Sequence, residues 1–543
     1  MKKIYIIAAM LAGTMSMAAQ ETYENAKLVD NDLNGTARYV GMGGALDALG
    51  ADISVINSNP AGIGLFRHSM ISTSFGLVMQ QDVPGYATGN KTNVSFDQIG
   101  FVYSANSGKN SKLNFAFNYH KSKNFDYILA AAGKPNNASQ NMLSYIKGAV
   151  GSQKEGGFNV GQDKNGTYIG YVDETSEYTA ATFNQLDYLY WNAFLVDPKT
   201  GDYGYNPAQY LMFNREHTGY IGSYDFNISG NINDRVYLGL TFGFKDVHYN
   251  GYGQYAEEIV DFNGNYVGDI NITDDRRITG SGFSMSAGVI VRPIEESPFR
   301  IGLSVTSPTW YDLTTENYTV LDNGTSYGMF DNGKSDEAYD FKLYTPWKFG
   351  ISLGHTVGNY LALGASYEYA DYSTMNTRVN DGYGYDWWND GWYDYYESSS
   401  SDKVMNNHTK RTLKGVSTLR LGAEVKATPN LAIRAGYNYV SSMYSKDGYK
   451  DGSLVSEGSY YSSASDYTNW KDTNRFTLGL GYNVDKWNFD LAWQYSATNG
   501  TFYPYTSYAV NYDDGTPDVI MSEDKFDVTN KRHQLLLTVG YHF

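Results

Sequence analysis

The chain has 543 residues, no cysteine and a formal net charge of −17 at neutral pH. The absence of cysteine excludes disulfides, thiolate metal sites and a lipidated N-terminal cysteine, and the negative charge argues against a nucleic-acid partner. The mean hydropathy is −0.45, yet the chain contains 51 Tyr, 25 Phe and 9 Trp. Such a composition is typical of strands that alternate between lipid and a polar lumen.

The N-terminus shows the three parts of a secretory signal peptide. Two lysines precede an apolar run over residues 4–11, and small residues follow it. We expect residues 1–19 to form this peptide, with cleavage near Ala18 or Ala19. The apolar run is far shorter than the roughly 20 residues that a membrane helix needs, and no later segment reaches that length. A membrane protein with this sequence must therefore cross as a closed β-barrel, in which every backbone group is paired.

Residues 20–68 show no sustained alternation of apolar and polar side chains. Small residues between Gly35 and Ala45 allow close backbone approach, and the Asn59-Pro60 pair forces a turn. A compact, glycine-rich segment of this kind suits a plug inside a barrel better than a periplasmic tail. We therefore predict that residues 20–68 form an N-terminal hatch that plugs the lumen.

Residues 69–543 alternate apolar and polar side chains in short stretches, which predicts β-strands. Short turns alternate with long loops, as in bacterial outer-membrane barrels and unlike a soluble β-sandwich. The prediction is an all-β fold, a fourteen-stranded antiparallel transmembrane β-barrel, with its longest outer loop at about 123–218. The predicted strands are 69–80, 93–104 and 112–121, five hairpins at 220–249, 281–306, 346–372, 419–439 and 476–495, and the terminal strand 531–543.

The chain ends on a strand that alternates from Leu535 to the aromatic Phe543. A terminal strand without a polar tail must be paired in a closed sheet, so we expect it to pair with the first strand after the hatch. We also expect the barrel-assembly machinery to recognise Phe543. The predicted location is the outer membrane of a Gram-negative cell, where the chain contacts lipids as a monomer.

The longest predicted loop contains two segments with apolar residues at helical spacing. They predict an apolar extracellular groove in which a hydrophobic ligand first lands. The alternative is that the loop helices pack on one another. The predicted groove residues are Phe183, Leu186, Leu189, Tyr190 and Phe194.

No cofactor or metal is predicted. The acidic and aromatic segment 381–397 lacks the spacing of oxygen ligands in a calcium loop, so we interpret it as a solvated outer loop. The eight histidines are scattered without the paired spacing of metal or haem ligands.

Several motifs resemble the FadL family of outer-membrane transporters. They are Gly35-Thr36-Ala37-Arg38 with the glycine-rich stretch after it, Asn59-Pro60-Ala61-Gly62, the strand start Thr345-Pro346-Trp347-Lys348-Phe349-Gly350 and the hairpin from Leu419 to Tyr439. The resemblance implies a fourteen-stranded barrel with an N-terminal hatch. It also implies uptake of hydrophobic molecules such as long-chain fatty acids and aromatic hydrocarbons.

The same resemblance implies a gate. In the family the Asn-Pro-Ala turn lies near a kink in the third strand that opens the barrel wall sideways into the membrane. For this chain, the resemblance implies that the gating residues are Asn59, Pro60, Ala61 and Gly62 and that the third strand is roughly Leu113 to His120. That strand contains no glycine or proline, so a kink would require a bulge or missing hydrogen bonds. The alternative is a rigid turn that fastens the hatch.

Arg420 and Arg434 fall on inward-facing positions of neighbouring predicted strands. Together they could bind the carboxylate of a fatty acid by bidentate hydrogen bonds. The alternative is that each arginine forms an ion pair that braces the barrel wall, because buried charges need partners.

These patterns favour passive uptake of hydrophobic small molecules through a hatch-gated lumen. The resemblance implies long-chain fatty acids as ligands, and haemin or another hydrophobic molecule is the alternative within this class. A receptor or adhesin that does not transport is the second class. No enzyme is predicted, because no histidine lies in a nucleophile context such as G-x-S-x-G.

Overall fold

A computed structural model describes the chain from residue 21 to residue 543. The described residues exclude 88, 109, 137, 153–157, 173–183, 328–331, 381–382, 387–390, 395–398, 453, 455–462, 465, 507, 512–516 and 522–523. The predicted signal peptide, residues 1–19, lies outside the described residues and stays a prediction.

Nineteen strand segments form one antiparallel sheet. Several segments continue one another across short interruptions, so the described residues build a wall of fourteen strands. These are β1 Met70–Gln81, β2 Thr92–Gly108, β3 Ser111–Asn124 with Tyr127–Gly133, β4 Ala208–Ile232, β5 Val236–Val260, β6 Tyr266–Val291, β7 Arg300–Thr306 with Trp310–Asn323, β8 Asn332–Tyr344 with Lys348–Val357, β9 Leu361–Asp371 with Asn376–Asn380, β10 Ser399–Ser401 with Gly415–Lys426, β11 Leu431–Val440, β12 Tyr467–Val484, β13 Trp487–Tyr503 and β14 Phe526–His542.

The sheet closes where β14 pairs with β1, from His542 opposite Met70 to Lys531 opposite Gln81. The predicted fourteen-stranded antiparallel barrel and its closing pair are confirmed. Two interruptions, in β7 and β8, contain Pro308 and Pro346, and proline has no N–H for the strand ladder.

Side chains alternate between the two faces of the wall as the sequence predicts. On β14, Leu535 and Leu537 are 39% and 45% exposed on the outside, whereas Leu536 is fully buried inside. A closed sheet with an apolar exterior satisfies every requirement for crossing a lipid bilayer. The chain is therefore an outer-membrane β-barrel. Phe543 is exposed, and its backbone N–H donates to Ser69 O at 3.0 Å.

The longest outer loop is shorter than predicted. The second part of β3 reaches Gly133 and β4 begins at Ala208, so the loop spans 134–207 rather than 123–218. The alternation is hidden in this stretch because successive residues on both faces are apolar and covered. Ile128 and Leu129 are both buried.

The helices lie in the N-terminal segment and in the outer loops. Among the described residues, no helix is both long and apolar enough to cross a membrane. The N-terminal helices are α1 Thr22–Val29, α2 Ala37–Gly41 and two 3-10 helices, Ile53–Ile56 and Pro60–Leu65. The loop helices are α3 Gln140–Ser152, α4 Gln185–Tyr190 with the π turn Trp191–Leu195, the 3-10 helix Tyr372–Thr374 and α5 Lys403–Thr412.

Short hairpins extend from the outer loops. Two of them pair Phe158–Gln162 with Tyr168–Val172 and Tyr508–Asn511 with Pro517–Met521. The third pairs Tyr383–Asp386 with Gly391–Asp394, within the predicted loop 381–397. All three lie beyond the wall strands.

Candidate functional site

The residues predicted to form the hatch lie inside the barrel and make two kinds of contact with it. We call residues 37–66 the hatch body and residues 21–36 the N-terminal strap. The hatch body lies toward the end of the barrel that carries the short turns, which is the periplasmic end in outer-membrane barrels. The strap continues from it toward the outer loops.

The hatch body packs its backbone against glycines of the wall. A side chain at Gly364 or Gly422 would overlap the carbonyl oxygen of Ala45 or of Met42. Because glycine has no Cβ, the two backbones approach closely at these points. Other wall glycines that a hatch-body atom approaches are Gly239, Gly288, Gly354, Gly436 and Gly479.

The predicted gating turn, Asn59 to Gly62, is fastened to the wall. The Asn59 side chain accepts a hydrogen bond from Ala61 N at 3.2 Å and so caps the 3-10 helix Pro60–Leu65. Three wall asparagines of β3 and β4 donate to carbonyls of this helix. They are Asn114 to Ile63 O at 2.7 Å, Asn227 to Pro60 O at 3.5 Å and Asn231 to Gly64 O at 3.2 Å.

The wall contains a stretch in which β2 and β3 do not pair. Their ladder runs from Gly108 opposite Ser111 to Gln98 opposite His120. Beyond this point, residues 92–96 of β2 pair with β1 alone. We call this stretch the wall gap.

Two β-bulges bend the strands beside the wall gap. The registers skip Asp97 in β2 and Ser122 in β3, and β3 then breaks between Asn124 and Tyr127. A bulge adds an unpaired residue and bends the strand. The third strand is thus bent without a glycine or proline.

The strap supplies the hydrogen bonds that β2 does not make here. The Asp32 backbone N–H donates to Ser122 O at 2.9 Å, and the Asn124 backbone N–H donates to Asp32 Oδ2 at 2.9 Å. A buried strand edge needs such partners because unpaired backbone groups are costly. Asp32 therefore acts as a substitute for the neighbouring strand.

Asn34 ties the strap to three wall strands at the same place. Its Nδ2 donates to Lys121 O at 3.1 Å on β3 and to Asp97 Oδ1 at 2.9 Å on β2. Its Oδ1 accepts from Gln534 Nε2 at 3.1 Å on β14. The side chain of Asn34 thus bridges the two strands that border the wall gap.

Basic wall residues surround the acidic strap. Arg475 and Arg532 lie 3.8 Å and 3.5 Å from the Asp32 carboxylate, and Lys123 Nζ lies 2.5 Å from Asp30 Oδ1. Burial raises the pKa of Asp32, but Lys123, the two arginines and the Asn124 N–H outweigh it and hold that pKa at about 2. Asp32 is therefore ionised at neutral pH.

A cavity of about 330 Å³ lies between the hatch and the outer loops. The strap forms one side of it, from Tyr23 to Asn34. Nine basic side chains and five acidic ones line it, together with several aromatic rings. The basic residues are Lys27, Lys123, Lys245, Lys348, Lys471, Arg215, Arg420, Arg475 and Arg532, and the acidic residues are Glu24, Asp30, Asp32, Glu368 and Asp466.

Three lysines in this lining, Lys245, Lys348 and the exposed Lys471, have no ion-pair partner within the described part of the chain. Lys245 donates to Ser223 Oγ at 2.8 Å, and Lys348 projects from β8 into the same cavity. Within the described part of the chain, neither ammonium group lies within 4.0 Å of a carboxylate oxygen. Both could therefore receive a negatively charged group of a ligand.

The structure does not bring Arg420 and Arg434 to one site. Arg420 lines the cavity and pairs with Glu368 at 3.1 Å and Asp47 at 3.4 Å. Arg434 lies at the hatch body, opposite Glu424 in the register. It pairs with Glu424 at 2.6 Å and with Asp490 at 2.5 Å.

The arrangement around Arg434 favours the alternative of ion pairs that brace the wall. Arg38 of the hatch shares the same carboxylate, with its Nε 3.1 Å from Glu424 Oε2. Both guanidinium groups have their charge compensated by wall carboxylates. This network therefore attaches the hatch body to the wall.

The predicted groove residues lie inside the outer loops and not on an open surface. Leu186, Leu189, Tyr190 and Phe194 are buried in a core shared with α3. Phe183 lies outside the described residues. Apolar residues at helical spacing predict an apolar face but do not identify its partner. Here the apolar faces of the two loop helices pack against each other, so the predicted open groove does not form.

Sequence reasoning missed the two strap residues at the wall gap. Asp32 and Asn34 stand in a polar run between Val29 and Gly35 that contains no recognisable motif. The bulge in β2 did leave a signal. The exposed apolar residues fall on even positions up to Phe96 and on odd positions from Ile99 onward, and such a change of parity marks an extra residue in the strand.

These features define an outer-membrane β-barrel whose lumen is occupied by its own N-terminal segment and whose wall is unpaired beside that segment. No protein-family model matches the chain, and no curated protein matches it.

The chain is similar to several solved structures. One is a Pseudomonas aeruginosa FadL homologue, with 10% identity and a TM-score of 0.45 over 95% of this chain and 100% of that one. Another is the Ralstonia pickettii toluene transporter TbuX, with 12% identity and a TM-score of 0.46 over 94% of this chain and 99% of that one. A third is the Pseudomonas putida toluene transporter TodX, with 11% identity and a TM-score of 0.44 over 94% and 99%.

Proposed function

We propose that this chain is an outer-membrane channel for passive uptake of hydrophobic small molecules. One observation carries the proposal: a cavity inside the barrel borders the strap that closes a gap in the wall. A molecule in this cavity is separated from the surrounding lipid by hydrogen bonds of Asp32 and Asn34. If those bonds break, the cavity opens sideways into the membrane.

The proposed ligand is an anionic amphiphile, and a long-chain fatty acid is the representative case. The chain carries a net charge of −17, yet basic side chains outnumber acidic ones by nine to five around the cavity. Lys245 and Lys348 could hold a carboxylate, whereas aromatic rings could contact an alkyl chain. A neutral aromatic hydrocarbon would bring no charge that could pair with either ammonium group.

The proposed moving part is the strap. The hatch body stays in place, because its backbone is packed against wall glycines and the 3-10 helix Pro60–Leu65 is held by three asparagines. At the wall gap the strap is held by polar side chains and ion pairs, which an anionic ligand can replace. The turn from Asn59 to Gly62 thus fastens the hatch in this proposal.

Uptake of radiolabelled oleate tests the function. Cells that lack their own outer-membrane fatty-acid channel would be compared with and without this protein, at matched amounts in the outer membrane. We expect faster oleate uptake with the protein. Identical uptake rates would contradict the proposal.

A double variant tests the ligand class. Lys245→Gln with Lys348→Gln should reduce oleate uptake and leave toluene uptake unchanged, since only oleate carries a charge. The matched control is Lys426→Gln with Lys486→Gln, two exposed lysines outside the cavity. Equal loss of oleate and toluene uptake in the cavity variant would contradict an anionic ligand. An equal loss of oleate uptake in the control would contradict a role for these particular lysines.

A further inference from the structure

The strap also makes contacts at the outer mouth of the barrel. Its helix α1 lies beneath the outer loops and contacts α5. Thr22 Oγ1 lies 3.0 Å from His408 Nδ1 and 2.9 Å from Thr409 Oγ1. All residues of α1 except Lys27 are buried, so the helix forms part of the closed mouth.

Aromatic and charged contacts complete this closure. The Tyr23 ring stacks on Tyr444 with 5.3 Å between centroids, and its hydroxyl donates to Asn469 Oδ1 at 2.8 Å. Arg276 Nη1 lies 2.8 Å from Glu24 Oε2. Tyr444 lies in the long connection between β11 and β12, Asn469 lies on β12, and Arg276 lies on β6. The helix therefore joins loops and strands from opposite sides of the mouth.

A short connector links the two closures. Only residues 30–33 separate the end of α1 from Asn34 at the wall gap, and four residues reach about 14 Å when fully extended. Asp32, in the middle of this connector, already bonds to β3. The connector therefore has little slack to absorb a movement of α1.

The cavity lies between these two closures. Tyr23, Glu24 and Lys27 of α1 line it on the side of the mouth, and Asp32 and Asn34 line it on the side of the wall gap. In the proposed uptake, a ligand that enters between α1 and α5 would have to displace α1 to reach the cavity. Sideways release would require the strap to leave β3.

We propose that the strap couples the outer mouth to the wall gap, so that withdrawal of α1 from α5 removes Asp32 and Asn34 from β3. The benefit of this coupling to the cell rests on the proposed function. The coupling itself depends only on the length and the contacts of the strap. It makes α1 an autoinhibitory element of the chain. With α1 seated, both the entrance and the exit are closed.

A cross-link at the mouth tests the coupling. The natural chain has no cysteine, so introduced thiols are the only ones present. Thr22→Cys and Thr409→Cys would lock α1 to α5 by oxidation or with a short bifunctional thiol reagent. Ser95→Cys supplies a reporter thiol at the wall gap, because Ser95 is buried there and its Oγ accepts from Lys121 Nζ at 3.0 Å across the gap.

The readout is the labelling of this reporter thiol by a pyrene maleimide dissolved in the bilayer of proteoliposomes, in the presence of oleate. We expect labelling of the locked protein to be at least about fivefold slower than after reduction, the lower end of typical coupling between sites. The control lock joins Asn376→Cys to Asn406→Cys, which ties α5 to β9 without touching the strap. It should leave the labelling rate of the reporter thiol unchanged.

Equal labelling of the reporter thiol in the locked and reduced protein would overturn the coupling. A slowing of the same size in the control lock would also overturn it, because rigid outer loops rather than the strap would then be responsible. Thr22→Cys with His408→Cys provides a second lock if the first variant does not assemble into a heat-modifiable barrel. Oleate uptake by the reduced protein tests the proposed function separately, so the two failures are distinguishable.

Discussion

The hatch body and the strap are adjacent parts of one N-terminal segment, but different forces hold them. The hatch body places backbone against wall glycines, at Gly364 and Gly422 among others. The strap is held at the wall gap by the side chains of Asp32 and Asn34, whereas its helix α1 is held by the Glu24–Arg276 ion pair and by buried apolar side chains. Close packing has one arrangement, whereas polar contacts can be exchanged for water or for a ligand. We therefore expect the hatch body to stay fixed and the strap to move.

The largest expected effect is on the attachment of the hatch body. Arg434→Gln leaves Asp490 without its cation and Glu424 with Arg38 alone. Breaking a buried ion pair from one side typically costs about 3–5 kcal/mol, so we expect a large loss in the free energy of unfolding in urea. Lys426→Gln, an exposed lysine at the end of β10, is the control. A similar loss in both variants would contradict a special role for the network.

Gly422→Val tests the close backbone contact. Its side chain would overlap the carbonyl oxygen of Met42, and overpacking of this kind typically costs about 1–3 kcal/mol. We expect a lower unfolding midpoint and faster proteolysis within residues 37–66. The neighbouring Ala423→Val places the same side chain on the lipid-facing side and should change neither quantity. Equal unfolding midpoints and equal proteolysis rates in the two variants would contradict close packing of the hatch body against the wall.

Asn34→Ala should affect the wall gap more clearly than the stability of the barrel. It removes hydrogen bonds to Lys121 O, Asp97 and Gln534, each worth about 1 kcal/mol net, so the free energy of unfolding should fall by at most about 3 kcal/mol. In the Ser95→Cys background, we expect lipid-phase labelling of the reporter thiol to accelerate. Asn231→Ala, which loses a bond to the hatch body instead, should not accelerate that labelling.

The smallest effect concerns pH. Burial raises the pKa of Asp32, but Lys123, Arg532 and Arg475 outweigh it and lower that pKa to about 2, and Arg276 and Lys27 outweigh burial in the same way to lower the pKa of Glu24. A lowered folded-state pKa contributes stability above the unfolded value near 4, and this contribution is lost as the pH falls toward the folded value. Labelling of the reporter thiol at the wall gap should therefore rise between about pH 4 and pH 2. Asp32→Asn should flatten this rise.

The wall was predictable from sequence because lipid imposes a strict alternation on each strand. Leu535, Leu536 and Leu537 are chemically alike, yet their parity assigns them correctly to the two faces. The predicted length of the third strand was less accurate, since Ile128 and Leu129 are covered on both faces.

The site was less predictable because it depends on register and on bulges. Arg420 and Arg434 were correctly placed on the inner face, but their separation follows from the β10–β11 register, which sets Arg434 opposite Glu424. The wall gap depends on an extra residue at Asp97, visible in sequence only as a change of parity after Phe96. The role of Asp32 depends on which chain segment happens to lie beside the unpaired strand, and no local pattern encodes that.

Hydrogen exchange at the hatch, measured by mass spectrometry on the protein in lipid nanodiscs with and without oleate, tests the central claim most directly. The Asp32 amide bonds to Ser122 O, and the Gly43 amide of the hatch body bonds to Val40 O. We predict that oleate accelerates exchange in peptides covering residues 22–34 and leaves peptides covering residues 37–50 protected. Equal acceleration in both, or none in the strap, would contradict the division of the hatch into a fixed body and a moving strap.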